Sequence, residues 1–137
     1  MNVRLPRGNN SYFTTSMLND TGSNVFSLTY TEAQALGYNP NTSPTSQTQL
    51  STAGGLIRRE TIVVLLQVIA YDGAPLTGWF REVAILNNPV FAGQQHLTRY
   101  SGRNVRSELF FATAPGDPFL HVSRTKTGLI SLLSNIR

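Results

Sequence analysis

The sequence predicts an all-β fold with one or two short helices. Two long runs of β-forming residues, 57–70 and 76–86, flank Asp72-Gly73, which is a strong hairpin signal. Within the first run, the nearly continuous apolar stretch 62–66 favours a strand that is covered on both faces. Helix signals are limited to one short segment near residue 31, so strands dominate the prediction.

The first strands are predicted on either side of residue 20. The side chains at 12, 14, 16 and 18 alternate as in a strand, and Val25-Phe26-Ser27-Leu28 forms a second β-rich run. Thr31 and Gln34 have capping-box spacing and Gly37 closes the segment, so we expect a short helical turn over 31–37. The stretch 38–49 is rich in Asn, Pro, Ser and Thr, which predicts an exposed loop.

The last third of the chain contains three further apolar runs. Asn87-Asn88-Pro89 is expected to end the long hairpin, and Leu109-Phe110-Phe111-Ala112 follows some twenty residues later. Two more strands are predicted in the segment after Ala114, at 119–122 and 129–133. His121 lies in the first of them, and a strand histidine with apolar neighbours usually has a structural role.

Composition limits the possible functions. The 137 residues suffice for one domain, and the absence of cysteine excludes a disulfide frame, a thiol nucleophile and a zinc–thiolate site. The net charge of +4 comes from dispersed arginines; only Arg58 and Arg59 are adjacent, and neighbouring strand residues point to opposite faces. We therefore expect no nucleic-acid partner. The chain has no apolar run of membrane-spanning length and no leader, so we expect no membrane partner and favour the cytoplasm.

The segment Asp20-Thr21-Gly22-Ser23 is the strongest functional signal in the chain. It places a carboxylate in a tight glycine turn between two predicted strands, where Gly22 permits a sharp bend and Asp20 points out of the loop. A carboxylate held in this way is typical of a catalytic acid or base. Asp and Gly are also ordinary turn residues, so a plain hairpin turn is the alternative if this segment is considered alone.

Two further segments make the pattern more specific. Ser101-Gly102-Arg103-Asn104 precedes the apolar run at 109–112, and Ala53-Gly54-Gly55-Leu56-Ile57 opens the long β-rich run. With Asp20-Thr21-Gly22, these segments resemble the retropepsins, the retrovirus-type aspartic proteases, in the order that the family has. The resemblance covers about residues 11–112. It implies a single retropepsin-like domain over 1–137, an acid-protease barrel with one lobe per chain, with residues 114–137 as an additional C-terminal extension.

The resemblance also implies an activity and a role for each matched residue. Asp20, with Thr21 and Gly22, would form half of a catalytic site, and a second Asp20 from a homodimer partner would complete it, because this chain has no second Asp-Thr-Gly. A peptide or protein substrate would be cleaved by water activated between the two carboxylates, without a metal or an organic cofactor. The implied substrate-binding residues are Ser23, Asn24, Ala53, Gly54, Gly55 and Leu56. Arg103 and Asn104 would give structural support, with the Arg connecting the terminal segment to the active-site loop.

The chain departs from the family pattern in three places. Retroviral members usually have an apolar residue directly before the catalytic Asp and an acid shortly after the Gly, where this chain has Asn19 and Asn24. The tail beyond residue 114 is also longer than in a minimal member. Two alternatives to an aspartic endopeptidase therefore stay open: a repurposed enzyme that performs acid–base chemistry on a non-peptide or modified-peptide substrate, and a non-catalytic module for peptide binding or dimerisation.

Overall fold

A computed structural model describes residues 1–17, 25–52, 54–87 and 102–136 of the chain. The strands in these ranges are β1 (Asn2–Arg4), β2 (Phe13–Thr14), β3 (Phe26–Thr29), β4 (Ser46–Thr52), β5 (Gly55–Gln67), β6 (Phe80–Asn87), β7 (Phe110–Ala112) and β8 (His121–Ser123). The helices are α1 (Tyr30–Ala35), α2 (Arg103–Glu108) and α3 (Lys126–Ser134). The mostly β fold that the sequence predicts is therefore confirmed for the described residues, although they contain three short helices where one or two are predicted.

The longest strand, β5, is the centre of the main sheet. It pairs antiparallel with β4 near its beginning, with β1 near its end and with β6 along 61–66. Thr61 pairs with both β4 and β6, and Leu65 pairs with both β1 and β6, so β4 and β1 share one edge of β5 while β6 occupies the other. The sheet continues to β2 beyond β1 and to β3 beyond β6, and β3 and β6 are parallel.

The described strands form an open sheet rather than the closed barrel that the family resemblance implies. Its order is β2-β1-β5-β6-β3 with β4 attached to β5, and β7 and β8 form a separate two-stranded sheet. Within the described ranges, β2, β3 and β4 are thus the strands of the main sheet that pair on one side only.

The core lies against one face of the main sheet. Alternate β5 side chains point into it: Val64 and Leu66 are fully buried, whereas Val63 and Leu65, which alternate with them, are only half-buried. The prediction of a strand covered on both faces therefore holds fully for one face and partly for the other. Further fully buried core residues come from β1, β3, α1 and β6, and include Val3, Phe26, Leu28, Ala33 and Ala84.

Helix α1 forms where the sequence predicts a helical turn, but its capping box is two residues earlier than predicted. The Thr29 hydroxyl accepts a hydrogen bond from the Glu32 backbone N–H, and the Glu32 carboxylate accepts one from the Thr29 N–H. Thr31 and Gln34 were the wrong pair because Tyr30 already has helical geometry. Gly37 follows the helix with φ of +98°, a left-handed conformation that favours glycine, as expected for a helix C-terminus.

Two other predicted boundaries are wrong. The stretch 38–49 is not a loop throughout, because its last four residues belong to β4. The run 129–133 is not a strand but part of α3, whose first turn is capped by the Thr125 hydroxyl bound to the Gly128 N–H at 3.0 Å. The hairpin signal at Asp72-Gly73 is confirmed: Gly73 has φ of +86° and its N–H donates to the Ala70 carbonyl oxygen at 3.0 Å.

Candidate functional site

The residues that the sequence singles out as catalytic lie outside the described part of the chain. Asp20, Thr21 and Gly22 belong to the segment 18–24, together with Ser23 and Asn24, and the predicted flap residue Ala53 is also outside it. The structure does describe the residues directly before and directly after these segments. The candidate site is therefore built from its flanks.

The flank that follows the Asp-Thr-Gly segment is firmly anchored. Strand β3 begins at Phe26, and both Phe26 and Leu28 are fully buried in the core. The strand runs parallel to β6, with Phe26 opposite Ala84 and Thr29 opposite Asn87. From Val25 onward the chain therefore runs directly into the interior, beside the middle of β6.

The Gly-Arg-Asn segment is anchored to the same strand. Helix α2 begins at Arg103, and the Asn104 N–H donates to the Glu82 carboxylate Oε2 at 2.9 Å. The Asn104 side-chain amide donates to the Arg81 carbonyl oxygen, also at 2.9 Å. Both contacts lie on β6 next to the position where β3 begins to pair. Asn104 thus contacts β6 through both its backbone and its side chain, whereas the Arg103 side chain is exposed.

Glu82 is a buried carboxylate to which the sequence analysis assigns no role. It is 3% exposed, and besides Asn104 it accepts a hydrogen bond at 2.9 Å from the N–H of Val83 through Oε1. Gly102 packs so closely on it that a Cβ at this position would lie 2.3 Å from Oε2. Glu82 therefore connects the start of α2 to β6, and this contact between distant segments leaves no signal in local sequence.

The predicted glycine flap corresponds to the tip of a long hairpin. Strands β4 and β5 pair from Ser46 opposite Thr61 to Thr52 opposite Gly55. Gly54 and Gly55 are at the tip, where Gly55 has φ of +109°, and the Leu56 side chain is 69% exposed. An exposed apolar side chain at a hairpin tip can cover a bound ligand, which is the role that the resemblance implies for this segment.

The base of this hairpin is held by a carboxylate and two tyrosines. The Tyr30 hydroxyl donates to Glu60 Oε2 at 2.5 Å, and the Tyr38 hydroxyl donates to Oε1 at 3.2 Å. The hydrogen bond from Tyr30 is the main reason that the pKa of Glu60 is lowered, with smaller contributions from Thr45 and Tyr38. The same hydrogen bond, with burial and the Glu60 charge, raises the pKa of Tyr30 to about 12. These contacts connect β5 to both ends of α1.

We expect Tyr30→Phe to destabilise the chain at neutral pH and to do so less in acid. Because the folded-state pKa of Glu60 is lowered, its contribution is present above its ordinary pKa near 4.5 and is lost as pH falls through the folded value. A hydrogen bond to a half-buried carboxylate stabilises by about 1 kcal/mol. Urea unfolding at pH 7 and pH 3 measures the difference, and Tyr71→Phe, at a fully exposed tyrosine, is the matched control. A destabilisation equal at both pH values would contradict the assignment.

The C-terminal extension packs next to the other flank of the Asp-Thr-Gly segment. A hollow of about 270 Å³ is lined by Met17, the last residue described before that segment, and by Leu120 and Val122 of the extension. Val105 of α2 and Phe111 of β7 also line it. Leu120 and Val122 of the extension thus share this hollow with Met17 and with Val105 of α2.

His121 has the structural role that the sequence suggests. Its Nε2 lies 2.8 Å from Asp117 Oδ2, an i, i+4 pair, and Asp117 also accepts a hydrogen bond from the Phe119 N–H at 2.9 Å. These contacts lower the pKa of Asp117, with the backbone N–H of Phe119 as the largest cause and His121 as the next. The pair closes the turn that leads into β8. His96 lies outside the described residues.

Other kinds of site receive no support from the described ranges. Within them, no three His, Asp or Glu side chains are grouped closely enough to hold a metal ion. The helices of the same ranges are all too short or too polar to cross a membrane. Comparisons with protein-family models, with curated proteins and with solved structures find no match for this chain.

Proposed function

We propose that this chain is a retropepsin-like aspartic endopeptidase that acts as a homodimer, with one Asp20 from each subunit in the catalytic pair. The observation that carries the proposal is the arrangement around β6. The strand that follows Asp20-Thr21-Gly22 pairs with β6 at Ala84, and the helix that begins within Gly102-Arg103-Asn104 is bound to β6 at Glu82. Two motifs some eighty residues apart thus have neighbouring anchors on one strand.

The hairpin of β4 and β5 supports the same proposal. Its glycine tip at 54–55 follows the order of the family's three motifs, and its long strand β5 pairs directly with β6. The tip, the exit of the Asp-Thr-Gly segment and the start of α2 are thus connected through one pair of strands. A hairpin that is clamped at its base by Glu60 and exposed at its tip has the form that a covering flap requires.

The chemistry explains why two copies are needed. A single aspartate near its ordinary pKa of about 3.9 is ionised at neutral pH and cannot donate a proton. Two carboxylates about 3 Å apart share one proton, an effect for which aspartic proteases are the standard example, so the pair can act as base and acid in turn. One carboxylate takes a proton from the attacking water while the other protonates the carbonyl oxygen. The leaving nitrogen then receives a proton as the C–N bond breaks.

The homodimer makes a direct prediction for activity against concentration. Because each chain supplies one candidate aspartate, dilution below the dimer dissociation constant should reduce the rate more steeply than in proportion to protein concentration. Sedimentation velocity across the same range should show the dimer dissociating where activity falls. A monomer that retains full activity per chain would rule out the shared carboxylate pair.

A peptide-library digest between pH 3 and pH 8 tests the reaction itself. An aspartate pair that works as a peptidase should give a bell-shaped rate profile on the acidic side of neutrality, with both apparent pKa values belonging to the pair. A statine-type inhibitor, whose hydroxyl replaces the attacking water, should compete with the substrate. If a folded dimer cleaves no peptide at any pH, the repurposed enzyme becomes the better proposal; Asn19, an amide beside the carboxylate, is the residue that favours it.

A further inference from the structure

Along one edge of β5, strand pairing is interrupted between its two partners, β4 and β1. On this edge, β4 pairs with β5 up to Thr61, and β1 pairs with it from Leu65 onward. Residues 62–64 therefore face no strand partner on this edge among the described ranges. Unpaired backbone groups at a sheet edge are sites where an extended peptide can add hydrogen bonds. Ile62 and Val64 are buried, so among these three residues only the partly exposed Val63 is accessible to such a peptide.

A cavity of about 350 Å³ lies at this interruption. This volume is within the range of about 300 to 1,000 Å³ that is usual for ligand pockets. Its walls come from the chain after β1, from the segment between α1 and β4, and from β5 itself. The apolar lining residues are Leu5, Pro6, Tyr38, Pro44, Ile62 and Val63.

The charged residues that line the cavity are all basic. Arg7 and Arg81 line it, both are exposed, and the lining includes no acidic side chain. No ion pair joins either arginine to an acid within the described ranges. The carboxylate of Glu60 near Tyr38 is not part of the lining and accepts the Tyr30 and Tyr38 hydroxyl hydrogen bonds. The cavity thus combines apolar walls, the partly exposed Val63 of β5 and two guanidinium groups.

We propose that this cavity binds an extended acidic peptide segment. An apolar side chain of the peptide fills the hollow, the next carboxylates pair with Arg7 and Arg81, and the peptide backbone passes Val63 of β5. Arginine binds carboxylates through charge-assisted and often bidentate hydrogen bonds, which gives the preference for acid over amide. The site does not include the Asp20 segment, so the proposal is independent of the catalytic one.

Nuclear magnetic resonance titration of the ¹⁵N-labelled chain tests this site. Asp20→Asn serves as the background, so that cleavage does not interfere. The probe is the blocked peptide Ac-Ala-Leu-Glu-Glu-Ala-NH₂, and its counterpart with Gln in place of both Glu tests the charge requirement. The acidic peptide should shift the amide signals of Tyr38 and Val63, and its affinity should fall as salt is raised. The amide counterpart should bind at least about tenfold more weakly.

Variants distinguish specific binding of the peptide in the cavity from non-specific electrostatic attraction to a basic protein. Arg7→Gln with Arg81→Gln should weaken the acidic peptide about tenfold, whereas Arg58→Gln, at an exposed arginine on the hairpin, should change the affinity by less than about twofold. The Arg81 carbonyl bond to Asn104 uses backbone and persists in the variant. Equal binding of the two peptides, equal loss in Arg58→Gln, or equal affinity for free glutamate would overturn the proposal.

Discussion

Asp20→Asn is expected to abolish peptide cleavage and to leave the chain folded and dimeric. The amide has almost the same shape as the carboxylate but cannot take a proton from water at the pH of the reaction. A pair made of two amides therefore has neither the base nor the shared proton that the mechanism needs. Removal of two like charges that face each other should also leave the dimer at least as stable as before. A peptide digest, circular dichroism and sedimentation of the same preparation measure these three properties.

Mixing of wild-type and Asp20→Asn chains gives a sharper form of this test. If subunits exchange freely and both aspartates are needed, activity should fall as the square of the wild-type fraction at constant total protein. A linear fall would mean that each chain works alone, and Asp20 would then act without a partner carboxylate. Wild-type turnover by the pure variant would instead make the Asp-Thr-Gly segment a structural turn and would remove the basis of the catalytic proposal.

The elements that the sequence predicts well are those with strong local signals. The β5–β6 hairpin was predictable because apolar runs flank Asp72-Gly73, and the turn chemistry of that pair is set by its own residues. The short helix at residue 30 was predictable from capping spacing and Gly37, although Thr29 and Glu32 supply the box. In both cases the decisive interactions join residues that are close in sequence.

The missed elements lack such signals. Strand β4 reads Ser-Gln-Thr-Gln-Leu-Ser-Thr, and most of its side chains are exposed, so it shows no apolar alternation and depends on pairing with β5. Helix α3 was taken for a strand because a short apolar run is ambiguous in period. The cap at Thr125 and the i, i+4 pair Leu129 and Leu133 were the available helix signals.

For the candidate site as well, the sequence contains the local motifs but not the tertiary contacts of the residues around them. The motifs at 20–22, 54–55 and 102–104 could be recognised from their order, but their anchors could not. Glu60 and Glu82 appear in the sequence as scattered acids, and each acquires its role from partners that are about 20 or 30 residues away. Burial and hydrogen bonding of a carboxylate depend on tertiary structure, so only the structure identifies these two residues as important.

Gly102→Ala is expected to lower the free energy of unfolding by about 2 to 3 kcal/mol, because a hydrogen bond to a buried charged group must be broken. The new Cβ would lie 2.3 Å from Glu82 Oε2 and 2.5 Å from its Cδ, so the carboxylate has to move. Glu82 is buried and hydrogen-bonded at both oxygens, so movement separates it from the Asn104 N–H. The matched control is Gly78→Ala, at a glycine with open space around the new Cβ, which should change stability by less than about 1 kcal/mol.

Two further measurements connect the loss to the Glu82 contact rather than to the helix start in general. Hydrogen exchange should show that the Asn104 amide is protected in the wild type and loses much of that protection in Gly102→Ala. In a Glu82→Ala background the side chain that the new Cβ would meet is absent, so Gly102→Ala should lower the free energy of unfolding much less. The double-mutant cycle should give a coupling free energy of about 1 to 2 kcal/mol. Additive losses with an unchanged Asn104 amide would show that Gly102 is required for another reason, and the assignment of Glu82 as the connection between β6 and α2 would be wrong.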